Sequence, residues 1–306
     1  MIKIDDNITV KISNKIYDEF EKYMNQRANG KNSKYYSTGI HVSSLDDCVR
    51  KVVMEYYNFE KKPRSLEDLL MFEIANFVHD LMGKAISASD KFELLAKERK
   101  LSQHLPDKIS GKCDLIYRDI ENDIVILSDT KTAHPNKFER FSDSMLMDSH
   151  RIQINMYKMG ATYHHKIKNP DMLLMTYFDR GGQHKPIFVS VAEIAETKLK
   201  EICSRYASAV NEYERTKSIP PLHPLSFTRN TKSEVLASRP WNCDYCQFCD
   251  ISCQSWGAKF PSTKPKTKVN IGIEDMNGRL VVSMEFMPIA DSLMRMYANH
   301  KKGSEI

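Results

Sequence analysis

Two β-like runs that carry acids into apolar surroundings constrain this sequence most. The first reads Gly111-Lys112-Cys113-Asp114-Leu115-Ile116-Tyr117, and the second Ile124-Val125-Ile126-Leu127-Ser128-Asp129-Thr130-Lys131. Both are rich in β-branched and aromatic residues, and the polar stretch Ile120–Asp123 between them reads as a turn. Side chains two apart on a strand share a face, so Asp129 and Lys131 project together. If the two strands pair, Asp114 comes alongside them. Carboxylates held together repel unless a cation lies between them. An all-oxygen site of that kind suits a hard divalent ion such as Mg²⁺. A bound ion polarises a phosphoryl oxygen and lowers the pKa of its water. The Lys131 ammonium is placed to stabilise charge developing on a phosphate or to position the attacking water. A lone Asp and a D-x-K triplet are also common on ordinary surfaces, so the rest of the chain decides their weight.

Helical periodicity marks IYDEFEKYM, broken by NGKNS, and the segment from His41 to Tyr57, which opens on Ser-Ser-x-Asp-Asp. It also predicts one or two helices over 66–96, whose apolar run Leu69–Ile86 is expected to be mostly buried, and further helices over 144–165 and 192–217. Strand patterns cover 98–117, 124–130, 171–179 and the PIFVSV segment. Helices, a β-core, then helix, strands, helix and a cysteine segment fit an α/β or α+β domain with a mixed sheet, of which α/β is the expectation.

The 306 residues allow one elaborated domain or two modest ones. No run approaches the ~18–20 apolar residues of a membrane span. The N-terminus carries early acids and no apolar signal core, so the expected compartment is the cytoplasm, or a host cytoplasm for a viral gene. A net charge of +5 is compatible with a polyanionic partner without demanding one. The clusters Lys61, Lys62, Arg64 and Lys264, Lys266, Lys268 read either as phosphate-tracking surfaces or as solvated loops, the loop being the better reading of each alone.

Four of the seven cysteines, Cys243, Cys246, Cys249 and Cys253, crowd one short segment. Without a secretion signal they argue for a metal rather than a disulfide framework, and taken locally they form a four-thiolate Zn²⁺ site. Cys113 and Cys203 read as ordinary buried thiols.

Gly111-x-x-Asp114, an apolar strand and Asp129-x-Lys131 together resemble the PD-(D/E)XK nucleases. Gln153-Ile-Asn-Met-Tyr157 resembles the Q-apolar-x-x-Y motif of the RecB-like exonuclease branch; an i, i+4 pair lies on one helix face. His79, in FVHDLM, resembles the histidine that supplies a further metal ligand there. Taken alone it would read as a satisfied core histidine, and Ala75 stands where relatives often carry Gly. Cys48, in a Ser-x-x-x-Cys-x-Arg-Lys opening, resembles the first ligand of nucleases stapled by a [4Fe–4S] cluster: the CRISPR-associated exonucleases and the AddB-type recombination nucleases. In those the C-terminal cysteine trio follows a Trp, here Trp241. Their usual C-x-x-C-x5-C spacing would end on Ser252, so the set chosen is Cys48, Cys243, Cys246 and Cys253, with Cys249 as the alternative.

The resemblance spans about residues 40–255. It implies a restriction-endonuclease-like mixed β-sheet core flanked by helices, with a C-terminal iron–sulfur module closed by the N-terminal Cys48. It implies catalytic roles for Asp114, Asp129, Lys131, Gln153 and Tyr157, and an Mg²⁺ or Mn²⁺ site at His79, Asp114, Asp129 and Thr130. The expected domains are a helical extension (1–39), the nuclease with its iron–sulfur module (40–258) and a basic tail (259–306). The expected activity is exonucleolytic hydrolysis at DNA ends, with a single-stranded preference, in recombination, repair or phage DNA processing. Phe138, Arg140 and Phe141 are candidates for a DNA groove, and equally for packing. The competing reading is a non-catalytic DNA-binding or recombination subunit with a structural zinc or iron–sulfur site.

Overall fold

The computed structural model describes residues 39–138, 146–162 and 169–221, with Glu19, 22–24, 26, 226–229, 234–238, 243, 246–249, 251–253, 269–274 and 280–282. In chain order the elements are β1 (Ile40–His41), α1 (Val49–Tyr56), α2 (Leu66–Ser87), β2 (Phe92–Lys100), β3 (Ile109–Ser110), β4 (Lys112–Asp119), β5 (Ile124–Ala133), α3 (Pro135–Phe138), α4 (Asp148–Thr162), β6 (Met172–Asp179), β7 (Ile187–Ser190), α5 (Glu196–Thr216), β8 (Ser226–Arg229), β9 (Glu234–Ser238), β10 (Val269–Glu274) and β11 (Leu280–Val282). Two compact units divide them. One is the chain up to Asp47 together with Arg64–Lys217; the other is Cys48–Pro63 together with the chain from Ser218 onward. Most of the expected 1–39 extension and 259–306 tail lies outside the described residues, as do Trp241, Arg140, Phe141 and Lys264, Lys266 and Lys268. No described helix is long and apolar enough to cross a membrane.

The first unit is built on a five-stranded sheet of order β2-β4-β5-β6-β7. Only β5 and β6 run parallel, and the rest of the ladder is antiparallel. A parallel pair needs a crossover, and α4 lies in it. The turn between β4 and β5 falls where the sequence places it. Asp119 Oδ1 accepts the Glu121 and Asn122 N–H groups at 3.0 and 3.4 Å, and Asp123 takes a left-handed φ of 53°. Leu115, Tyr117 and Ile126 form a buried cluster with Ile86 of α2. By strand alternation Asp114 and Asp129 belong to the other face, where α4 packs its Gln153 against Asp129. The result is an α/β unit with a mixed five-stranded sheet flanked by helices, as the element order implies.

Two expectations need correction on the segment 66–96. The helix begins at a Ser65 cap that accepts the Asp68 N–H at 3.2 Å, but it ends at Ser87, and Phe92 already starts β2. Ser-Ala-Ser-Asp breaks the helix, and the alternation of Phe92–Ala96 then suits a half-covered strand. Nor is the apolar run mostly buried. Leu66, Leu69 and Ile86 are, but Phe72, Ile74, Phe77 and Leu81 are exposed. The run is apolar around most of the helix circumference, and the described core reaches only part of it.

The second unit holds α1 and an antiparallel four-stranded sheet, β11-β10-β9-β8. Cys48–Pro63 is tied to the later chain by Arg50 Nη1 donating to Pro220 O at 2.7 Å. Lys62 N donates to Gln247 O at 2.7 Å, Gln247 Nε2 to Lys62 O at 3.0 Å, and Ser252 Oγ to Glu60 O at 2.9 Å.

Candidate active site

The β4–β5 ladder makes its last backbone pair at Leu115 and Ser128, one step short of Asp114 and Asp129. There the strands part, and a side chain takes over the backbone's hydrogen bond: Asp114 Oδ2 accepts the Thr130 N–H at 2.9 Å. The same oxygen lies 3.3 Å from His79 Nδ1 of α2. Across the gap, Asp129 Oδ1 accepts from Gln153 Nε2 at 3.1 Å, and that amide also reaches Tyr157 Oη at 3.0 Å. Lys131 Nζ stands 2.6 Å from Asp129 Oδ2. The structure therefore brings together Asp114, Asp129, Thr130, Lys131, His79, Gln153 and Tyr157.

Gly111 explains how the motifs interlock. A Cβ there would meet Val42 Cγ2 at 2.8 Å and Tyr157 Cε1 at 3.0 Å. The glycine of G-x-x-D is thus the space into which the Tyr157 ring packs. Tyr157 bonds Gln153, and Gln153 bonds Asp129. Three separate sequence motifs are one packed unit in space.

The two acids are electrostatically unlike. The Asp129 side chain is 1% exposed, whereas that of Asp114 keeps 18% and that of His79 keeps 32%. Burial pushes Asp129 up to about 6, against the pull of Lys131 and with a further push from Asp114. Burial also raises Asp114, but hydrogen bonding and charge from His79, then Lys131 and the Thr130 N–H, outweigh it and hold it below the ordinary carboxylate range. Burial would lower His79; the bond to Asp114 and the charges of both acids leave it raised instead. Asp129 Oδ2 is fully buried and has no well-aligned hydrogen-bond donor, although Lys131 Nζ is close enough to pair with it ionically. A carboxylate oxygen without a hydrogen bond, beside a second acid and an imidazole, is a donor set that fits a hard divalent ion. As placed, no three His, Cys, Asp or Glu side chains among the described residues close tightly enough to ring one. The Lys131 ammonium instead stands against the free oxygen.

In the second unit Cys48 joins the cysteine segment, although a long stretch of chain separates them. Burial pushes the Cys243 thiol up to about 12, and Cys249, Cys246, Cys48 and Cys253 each add to it, which puts all five sulfurs within electrostatic reach. Burial raises Cys246 as well, against the Phe248 N–H and Lys51. Backbone bonds from Cys246 N to Cys243 O (3.2 Å), Cys249 N to Cys246 O (3.1 Å) and Cys253 N to Phe248 O (2.8 Å) curl the segment, and Cys249 and Cys253 pair as an isolated bridge. Gathered thiols held this far toward the protonated form are ones that a soft metal ionises on binding. Their chemistry suits a soft metal or cluster, and as placed, among the described residues, no three of these sulfurs close on one point. Cys113 and Cys203 are buried in the first unit, as expected of packing thiols.

Phe138 is no groove residue. It is buried and stacks on His184 at 5.6 Å. Sequence reading missed His150, one helical turn before Gln153, whose Nδ1 lies 2.8 Å from Tyr177 Oη; Tyr177 is the β6 partner of Lys131. The spacing of His150, Gln153 and Tyr157 along one face of α4 was the available signal.

No protein-family model matches the sequence, and no curated protein is similar to it. Solved structures are. The crystal structure of SSO0001 gives a TM-score of 0.44 at 15% identity, over 75% of this chain and 94% of that one. The alkaline exonuclease LHK-Exo from Laribacter hongkongensis gives 0.42 at 6% identity, over 58% and 92%. LHK-Exo in complex with dAMP gives 0.41 at 8% identity, over the same shares.

Proposed function

We propose that this chain is an Mg²⁺- or Mn²⁺-dependent deoxyribonuclease of the PD-(D/E)XK type that hydrolyses phosphodiester bonds at DNA ends, with a single-stranded preference, in recombination, repair or phage DNA processing. The observation that carries the reading is that Asp114, Asp129 and Lys131 meet where β4 parts from β5, with His79 and Gln153 bonded to the two acids. His79, Asp114, Asp129 and Thr130 would hold the divalent ion, which when bound supplies a polarised phosphoryl oxygen and a water of lowered pKa. Gln153 fixes Asp129 Oδ1 and so leaves Oδ2 turned inward. With the ion bound, Lys131 would be placed to stabilise the charge developing on the phosphate. Tyr157 locks the Gln153 amide, and His79 holds Asp114 ionised.

For the second unit we propose a [4Fe–4S] cluster on Cys48, Cys243, Cys246 and Cys253, with Cys249 as the alternative fourth thiolate and structural Zn²⁺ as the alternative occupant. Protein purified without oxygen separates the two: brown with visible absorption for the cluster, colourless with bound zinc for the alternative.

The test of the nuclease reading is release of product from an end-labelled single-stranded oligonucleotide with added Mg²⁺ or Mn²⁺. Undiminished cleavage by both Asp129→Ala and Lys131→Ala would overturn it. The non-catalytic reading draws on Lys131 standing where the ion belongs; it predicts DNA binding by the wild type without any metal-dependent product.

A further inference from the structure

Helix α2 carries two unlike rows of residues. At about 100° per residue, Phe72, Asn76, His79 and Gly83 form one stripe, while Ile74, Phe77 and Leu81 lie on nearly the opposite side. The first stripe passes from covered to open. Gly83 is buried under the Lys97 side chain, His79 meets Asp114, and Phe72 is 49% exposed. The Arg64 guanidinium lies over the Phe72 ring, 4.3 Å from its centroid. An exposed aromatic ring on a soluble surface calls for no explanation by itself. An exposed ring under a guanidinium, in line with a residue that holds an active-site acid, does.

We propose that Phe72 and Arg64 form a stacking platform for a base of single-stranded DNA a few nucleotides from the bond cut at Asp114 and Asp129. The proposal rests on the nuclease reading and extends it to the path of the strand. Seven residues of helix separate Phe72 from His79, about 10 Å along the axis, or roughly three nucleotides of a stacked strand. Every base has a π-face, so a ring holds single strands without reading their sequence. The guanidinium plane adds a second stacking surface and a positive charge for the neighbouring phosphate. A duplex keeps its bases stacked inward and gains nothing from such a ring, which supplies a physical cause for a single-strand preference. Phe77 is more exposed, at 62%, yet it faces away from the acids and belongs to the other row.

The experiment measures binding of a fluorescein-labelled oligothymidylate by anisotropy, without added Mg²⁺ or Mn²⁺, and cleavage of the same strand with the metal present. Phe72→Ala weakens binding about five- to a hundredfold, the range for losing one stacked base, and Phe72→Trp restores it. Arg64→Ala weakens binding and lowers the slope of log affinity against log salt by about one phosphate's worth. Phe77→Ala binds as the wild type does. An oligonucleotide with one abasic position, scanned along the strand, erases the difference between Phe72→Ala and wild type at a single site. Binding unchanged in Phe72→Ala, or weakened equally in Phe77→Ala, overturns the platform and leaves the nuclease reading standing if the wild type cleaves. A wild type that neither binds nor cleaves the strand overturns both.

Discussion

The acid site and the cysteine cluster gather their residues in opposite ways. The acid site takes one to three residues from each of α2, β4, β5 and α4, and local rules pair several of them: strand alternation for Asp129 and Lys131, helix spacing for Gln153 and Tyr157. The cysteine cluster takes four thiols from one short stretch and a fifth from Cys48. In the first, hydrogen bonds and packing hold the donors: Gln153, itself bonded to Tyr157, on Asp129, and His79 and the Thr130 N–H on Asp114. In the second, what is on view is a few backbone turn bonds around thiols that burial pushes toward protonation.

The largest expected effects are at Asp129 and Lys131. Asp129→Ala or Lys131→Ala is expected to lower metal-dependent cleavage on the order of 10³-fold, and Asp129→Ala to leave the thermal midpoint at neutral pH undiminished, as read by product release and calorimetry. Cys48→Ser is expected to do the reverse. Its iron or zinc content falls to a small fraction by elemental analysis, and its unfolding midpoint drops by about 5 °C, equivalent to about 3–4 kcal/mol in a chain of this size. If Cys48→Ser keeps its full metal content, the N-terminal cysteine is outside the cluster and the contrast fails.

Asp129 sharpens the contrast through pH, with two opposite signs. Its folded pKa of about 6 exceeds the ordinary value of about 4, so the folded protein binds the proton more tightly than the unfolded one does. In metal-free protein this group's contribution to stability is complete below about pH 4 and is lost as pH rises through about 6. The difference is about 3 kcal/mol, and Asp129→Asn abolishes it in denaturant titrations run at each pH. Cleavage runs the other way, rising as pH passes upward through about 6, because only the ionised carboxylate can hold the ion. The smallest expected effect is at Gln153. Gln153→Ala lowers cleavage about 10- to 100-fold, and titration with Mn²⁺ shows it as weakened metal dependence rather than lost chemistry.

Much of the acid site was legible because its signals are local. Asp114, Asp129 and Lys131 stand on strands whose apolar pattern and turn mark them, and Gln153 and Tyr157 share a helix face by spacing alone. What failed in the reading was burial. The apolar run of α2 reads as mostly covered, and Phe138 reads equally as groove or packing. Exposure of Phe72 and burial of Phe138 depend on which neighbours arrive, and periodicity carries no record of that.

Residue order by itself determined strands β4 to β7, the turn held by Asp119, and the fact that Asp129 and Lys131 project together, because alternation along a strand is a property of the backbone. Tertiary structure alone decided that Gly111 makes room for Tyr157 and that one acid is sealed in while the other stays partly open. Those outcomes depend on packing and on the exclusion of water between elements distant in sequence, and both exist only once the chain has folded.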